Sequence, residues 1–213
     1  SEIVSDATQK SLETALEFAV MTLDEGHSQQ SANMAHKLLV AAAGAGAGAL
    51  GLPALAVELP VSTTIMLRSI AEIARSEGEQ LKTPETKLAC LEVFALGGRS
   101  KADDAVESAY FAVRVALARA LAEAAEHLAK KGLTQRGAPA LVRFITRVAA
   151  RFGIAVSEKA AAQAIPIIGA VGGALINTMF IDHFQDMAHG HFIVRRLERT
   201  YDPELVKSEY LKL

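Results

Sequence analysis

Two stretches of this chain, 38–57 and 160–181, each run for about twenty residues without a charged side chain. A segment of that length either crosses a bilayer or lies inside a protein core, so these two decide which folds are open. Both are built largely of Ala and Gly, and the second contains Gln163, Pro166 and Asn177. Such segments are only weakly driven into lipid. The expectation is therefore a pair of central helices in a bundle, with Gly44-x-x-x-Gly48 and Gly169-x-x-x-Gly173 letting backbones approach closely. A Gly inside a helix costs about 0.5–1 kcal/mol relative to Ala, which calls for a compensating contact. Helix packing supplies one. So would a cleft for a lipid-like ligand, or a hairpin that partly and reversibly enters a membrane. Gly46-x-Gly48-x-x-Gly51 also fits the dinucleotide glycine pattern, but no βαβ arrangement surrounds it and Pro53 falls where the phosphate-binding helix should be established.

The rest of the chain reads as helices. Leu12, Ala15, Leu16, Ala19, Val20 and Leu23 recur at helical spacing, with Gly26 as a stop, and a second helical stretch leads from Ser31 into the first uncharged segment. Pro60 and Ser62 punctuate the chain before a third helix. There Ile65, Met66, Ile70 and Ile73 share a face, and Arg68, Glu72, Arg75 and Glu79 form a solvated ladder. Thr83 as N-cap and Pro84 at the first position open a fourth helix that ends at Gly97-Gly98. Cys90, on its apolar side, reads as a buried small hydrophobe. Asp103 or Asp104 opens a helix through Val106, Tyr110, Val113, Leu117, Leu121 and Leu128 to Gly132, expected to be the longest. Pro139 starts another, with Val142, Ile145, Val148 and Phe152 inward. Ser157 and Glu158 look like a fresh helix start, Pro166 an interruption or kink, and a final long helix runs from about Ala170 to Arg199 before a loop at Asp202-Pro203. With 51% hydrophobic but only 5% aromatic residues and no Trp, the core is made of small and aliphatic side chains. The fold predicted is all-α: a single compact multi-helix bundle over 1–213 with the two uncharged Gly/Ala-rich helices at its centre.

A net charge of -2 excludes the cation excess that nucleic-acid binding requires. Charge is local instead. Between Lys130 and Arg151 the chain holds Lys130, Lys131, Arg136, Arg143, Arg147 and Arg151 and no Asp or Glu. Arg143, Arg147 and Arg151, four apart, stack on the outside of a helix as either a solvated face or a contact for anionic lipid headgroups. The polar, acidic start of the chain does not read as a secretion signal, which points to the cytoplasm, with peripheral attachment to the inner face of the membrane in view.

Asp182-His183-Phe184-Gln185-Asp186-Met187-Ala188-His189-Gly190-His191 is the main concentration of metal-ligating or acid–base groups. Asp182, Asp186 and His189 share a helix face and offer two oxygens and a nitrogen, whereas His183 and His191 are about 12 Å apart along a helix. His183, Met187 and His191 are expected to face the bundle, with Asn177, Arg195 and Glu198 as hydrogen-bond partners. Nothing calls for a cofactor, and no His-Glu-x-x-His motif or converging nucleophile and base is present. The residues that interrupt apolar segments with polar groups are Ser62, Thr63, Thr64, Arg68, Asn177, His183, Gln185, His191 and Arg195. They are the candidate ligand-binding set.

From Leu59 to Tyr210 the chain resembles the EcsC family, bacterial helical proteins named for a gene that accompanies an ABC transporter operon. The resemblance is carried by Leu59-Pro-Val-Ser-Thr-Thr64, Met66-Leu-Arg-Ser-Ile-Ala71, Ala95-Leu-Gly-Gly98, Tyr110-Phe-Ala-Val-Arg114, Ser157-Glu-Lys-Ala-Ala-Ala-Gln163, Pro166-Ile-Ile-Gly169, His183-Phe-Gln185, Gly190-His-Phe192 and Arg195-Arg-Leu-Glu-Arg199. It implies a role near a membrane transporter, with no catalytic residues to carry over. The leading expectation is a non-enzymatic accessory protein that binds a lipid-like hydrophobic ligand or docks on the cytoplasmic membrane surface, with Arg136, Arg143, Arg147 and Arg151 meeting anionic lipid. The alternative is a metal-dependent hydrolase with Asp182, Asp186 and His189, joined by His183 and His191, around a metal-bound water; Glu58, Glu72, Glu92 and Glu158 are candidate ligands from a second helix.

Overall fold

The structure, a computed structural model, describes residues 2–23, 52–98, 109–133, 138–163 and 169–212. Within them are seven helices: α1 Glu2–Thr22, α2 Leu52–Ser76, α3 Pro84–Leu96, α4 Ala109–Lys131, α5 Pro139–Gln163, α6 Gly169–Thr200 and α7 Pro203–Tyr210. No strand occurs among the described residues, and the chain is an all-α bundle.

Its centre is α3. Every residue from Thr86 to Leu96 is buried, and α1, α2, α4, α5 and α6 all pack against it. A helix apolar on all sides has nowhere else to go, and Leu88-Ala-Cys-Leu91 followed by Val93-Phe-Ala-Leu96 is such a sequence. Thr83 caps its start by accepting a hydrogen bond from the Thr86 amide, with Pro84 in the first turn, as expected. At its end, Gly97 and Gly98 are needed for close approach. A Cβ on Gly97 would overlap the Phe184 ring, and one on Gly98 would overlap the backbone carbonyl of Arg151 in α5. Around this end Phe94, Phe152, Phe180 and Phe184 stack in tilted and edge-on pairs, with Phe94 centred 4.8 Å from Phe152 and 5.4 Å from Phe184. Such geometry suits the ring quadrupoles. Cys90 is fully buried, and burial pushes its thiol up to about 12.

Several expectations are corrected. Pro60 does not punctuate the chain but lies inside α2. The Ser62 and Thr64 hydroxyls donate to the carbonyls of Leu59 and Pro60, at 3.2 Å and 2.8 Å, and α1 and α6 pack along α2, so the fold carries the helix through a proline that local preference would make a boundary. Ser157 opens no helix either. It sits within α5 and donates to the Gly153 carbonyl four residues back, a bond that satisfies serine in mid-helix. The longest described helix is α6, at 32 residues, not the one through Tyr110. Asp202-Pro203 is a helix start rather than a loop: Asp202 accepts from the Glu204 and Leu205 amides and opens α7. Val142 faces outward, 39% exposed.

The predicted features at Gly26, Ser31, Gly44–Gly51, Asp103, Asp104, Val106, Arg136 and Pro166 lie outside the described residues, as do the side chains at Pro53, Gly169–Gly173 and Asn177. No helix among the described residues is long and apolar enough to cross a membrane.

Candidate functional site

Two features stand out, a buried polar unit where α3, α4 and α6 meet and an outer face made by α4 and α5.

The polar unit begins with charges set inside apolar helices. Glu92 on α3 and His191 on α6 are 4% and 1% exposed. The His191 Nδ1 is 3.0 Å from the Tyr110 hydroxyl of α4, while its Nε2 lies 3.8 Å from Glu92 Oε2 and has no hydrogen-bond partner among the described residues. Burial pushes the Glu92 carboxyl up to about 7, against the pull of Arg114 and Arg195. Burial, with the same two guanidinium groups, holds His191 well below its ordinary value and therefore neutral. Burial likewise raises the Tyr110 hydroxyl, keeping it protonated.

Flanking this centre are two forked ion pairs. Arg114 on α4 donates through both terminal nitrogens to Glu198 on α6, at 2.7 Å and 2.8 Å. Arg195 donates through Nε and one terminal nitrogen to Glu79, at 2.8 Å and 3.1 Å, and Arg199 adds a further bond to Glu79. Burial opposes ionisation of Glu79, but Arg195, with Arg199 and Thr86, outweighs it and holds the carboxyl below the usual range. Glu79 is thus the buried anchor of the α6 arginines, with a side chain only 5% exposed, and not part of a solvated ladder; Arg75 and Glu72 do form an exposed pair. The whole unit binds three helices together and keeps a proton in the interior.

The remaining predicted residues are dispersed. His183 donates from Nε2 to the Gly97 carbonyl at 2.7 Å, closing the end of α3. Gln185 donates to the Ser69 hydroxyl at 2.6 Å and so pins α6 to α2. Ser62, Thr63 and Thr64 are buried in α2, and the Thr63 hydroxyl has no hydrogen-bond partner among the described residues. Arg68 is half-buried on the same helix. Of the partners expected for His183 and His191, Arg195 and Glu198 are replaced by Gly97 and Tyr110, and the Asn177 side chain lies outside the described residues. Asp182, Asp186 and His189 are exposed on α6, and no group of three or more His, Cys, Asp or Glu among the described residues is placed to hold a metal ion. Sequence reasoning missed Arg114 as a partner of Glu198, and also the ion pair of buried Lys159 with Glu58, at 2.9 Å. The available signal was a charged residue at an inward position of an apolar helix.

On the outer face the arginines behave differently from the unbalanced row expected. Arg143 pairs with Glu123 of α4 at 2.7 Å, Arg147 donates to the Ala116 carbonyl of α4 at 3.1 Å, and Arg151 turns inward to the Ala95 carbonyl at the end of α3. What stays at the surface is Arg143 and Arg147 on α5 and Arg119 on α4, its side chain 88% exposed, with the Glu126–Lys130 pair further along. The same two helices also expose apolar residues. Val115 is 73% exposed, Val142 is exposed, and so are Ala112, Ala116, Ala118 and Ala122.

A model of the EcsC protein family matches residues 1–197. No curated protein and no solved structure matches the chain.

Proposed function

The chain belongs to the EcsC protein family, and from that premise we propose a non-enzymatic accessory protein that docks on the anionic cytoplasmic surface of a membrane, beside a transporter, through the outer face of α4 and α5. The observation that carries this reading is the make-up of that face. Exposed Val115, Val142 and several alanines share these two helices with Arg119, Arg143, Arg147 and Lys130; among the described residues Arg119 and Arg143 pair with the carboxylate of Glu123, and Lys130 with that of Glu126.

Guanidinium groups held beside exposed aliphatic side chains suit a lipid interface, where headgroup phosphates meet the charges and the boundary below takes the methyl groups. Each basic residue near an anionic surface contributes about 1 kcal/mol. The net excess on this face supports weak, salt-sensitive attachment in place of permanent anchoring.

The test is sedimentation with vesicles of phosphatidylglycerol and of phosphatidylcholine at low ionic strength. Phosphatidylglycerol alone is expected to bring the protein down. The double variant Arg119→Ala, Arg147→Ala removes two charges, neither of which is tied into the core, and is expected to weaken binding by roughly 30-fold at about 1 kcal/mol per charge. Equal sedimentation with the two lipids, or an unaltered double variant, refutes the docking face.

A further inference from the structure

On α4 the residues Phe111, Val115, Ala118 and Ala122 are separated by four, three and four positions and so form one strip. Val115, Ala118 and Ala122 are exposed, whereas Phe111 is 8% exposed. Its cover is α7. Tyr210 meets the Phe111 ring edge-on, with centroids 5.2 Å apart, and lies nearly parallel to Tyr110 at 5.4 Å. Val206 joins Phe111 and Val194 of α6 in a small apolar cluster separate from the main core.

That cover is lightly held. Val206 is the single buried residue of α7, Leu205 is 52% exposed, and the helix has eight residues. A helix so short has little stability of its own and depends on the surface it lies against. It hangs from α6 by the two residues Tyr201 and Asp202, and it lies beyond the residues that the family model matches. The strip beneath it continues directly into the docking face.

We propose that α7 is a displaceable cover over an aromatic extension of the membrane-docking face, lifted when that face meets an anionic bilayer so that Phe111 and the edge of Tyr110 enter the lipid interface beside Val115. The inference rests on the docking reading and adds its regulation. Arg114 remains tied to Glu198 on α6 in both states, so the movement belongs to α7 and does not open the bundle. Aromatic rings favour the boundary between headgroups and acyl chains. In the covered state their contribution is withheld, and docking relies on the arginines and the exposed aliphatic residues.

The test uses the full chain with phosphatidylglycerol vesicles. The double variant Val206→Asn, Tyr210→Ser leaves charge unchanged and loosens α7; it is expected to bind on the order of tenfold more tightly than the wild type, as fits exposure of one large aromatic side chain to the interface. Adding Phe111→Ser to that variant should cancel the gain. In the wild type, backbone amides of 203–210 should exchange hydrogen faster when vesicles are present, a readout that needs no substitution. If the wild type binds but the loosened variant binds no more tightly and exchange in α7 is unchanged, the cover is refuted and the docking face stands. If neither protein binds, both fall.

Discussion

Replacing Glu92 with Gln is expected to stabilise the protein above neutral pH and to leave it unchanged in acid. The carboxyl lies 4% exposed on the central helix and is pushed up to about 7 from an ordinary 4.5. At about 1.36 kcal/mol per pH unit, keeping it there ionised costs about 3 kcal/mol. Below about pH 4 the group is neutral in both the folded and unfolded chain, and the cost is absent. As pH rises the unfolded chain gives up its proton first, so stability falls until the folded carboxyl ionises near 7, and beyond that the full cost remains. His191 works in the opposite direction. Held neutral by burial, it makes the fold more stable as pH climbs toward its ordinary 6.5, which flattens the wild-type profile and hides the Glu92 contribution. Subtracting the wild-type profile from that of Glu92→Gln removes the part of the His191 contribution that does not depend on Glu92. The difference should grow from near zero at about pH 4 to about 3 kcal/mol at about pH 8, or roughly 6–12 °C in Tm for a chain of this size. Thermal and urea unfolding across that range measure it. A variant no more stable than the wild type at about pH 8 would show that Glu92 is not ionised at a cost in the interior.

Two further substitutions test the packing around the end of α3. Gly98→Ala forces a methyl group into the Arg151 carbonyl and should destabilise the fold by about 1–3 kcal/mol; an unchanged melting temperature would mean that α3 and α5 are not in backbone contact there. Phe184→Ala empties the middle of the phenylalanine cluster and should cost about 3–5 kcal/mol by denaturant unfolding, whereas a loss under about 1 kcal/mol would place that ring at the periphery.

Helix boundaries were legible where they rest on local chemistry. Thr83-Pro84, Gly97, Gly132 and Pro139 act through capping and backbone constraint, and each acts where the sequence puts it. Pro60 and Ser157 were misread because their boundary preference is outweighed by partners packed along α2 and α5. The cap of α7 has the same form as that of α3, Asp202-Pro203 against Thr83-Pro84, yet a helix with one buried residue shows no apolar period to reinforce it. Periodicity correctly turned His191 inward, but it names a face and not a neighbour. Tyr110, which meets His191, is 81 positions away. The arginines show the same limit: no acid stands between Lys130 and Arg151 in the chain, and Glu123 comes from the adjoining helix to meet Arg143.

The unbroken course of α6 restricts how the chain can change in length. At 3.6 residues per turn, one residue inserted between Phe184 and His191 would rotate everything beyond it by about 100°. Phe184 would keep its place among the rings, while His191 would leave Tyr110, Arg195 and Arg199 would leave Glu79, and Glu198 would leave Arg114. The same insertion between Thr200 and Asp202 would disturb only the hinge of α7. Variation in length is therefore to be sought at the end of α6, and within it any insertion should come with a compensating deletion nearby.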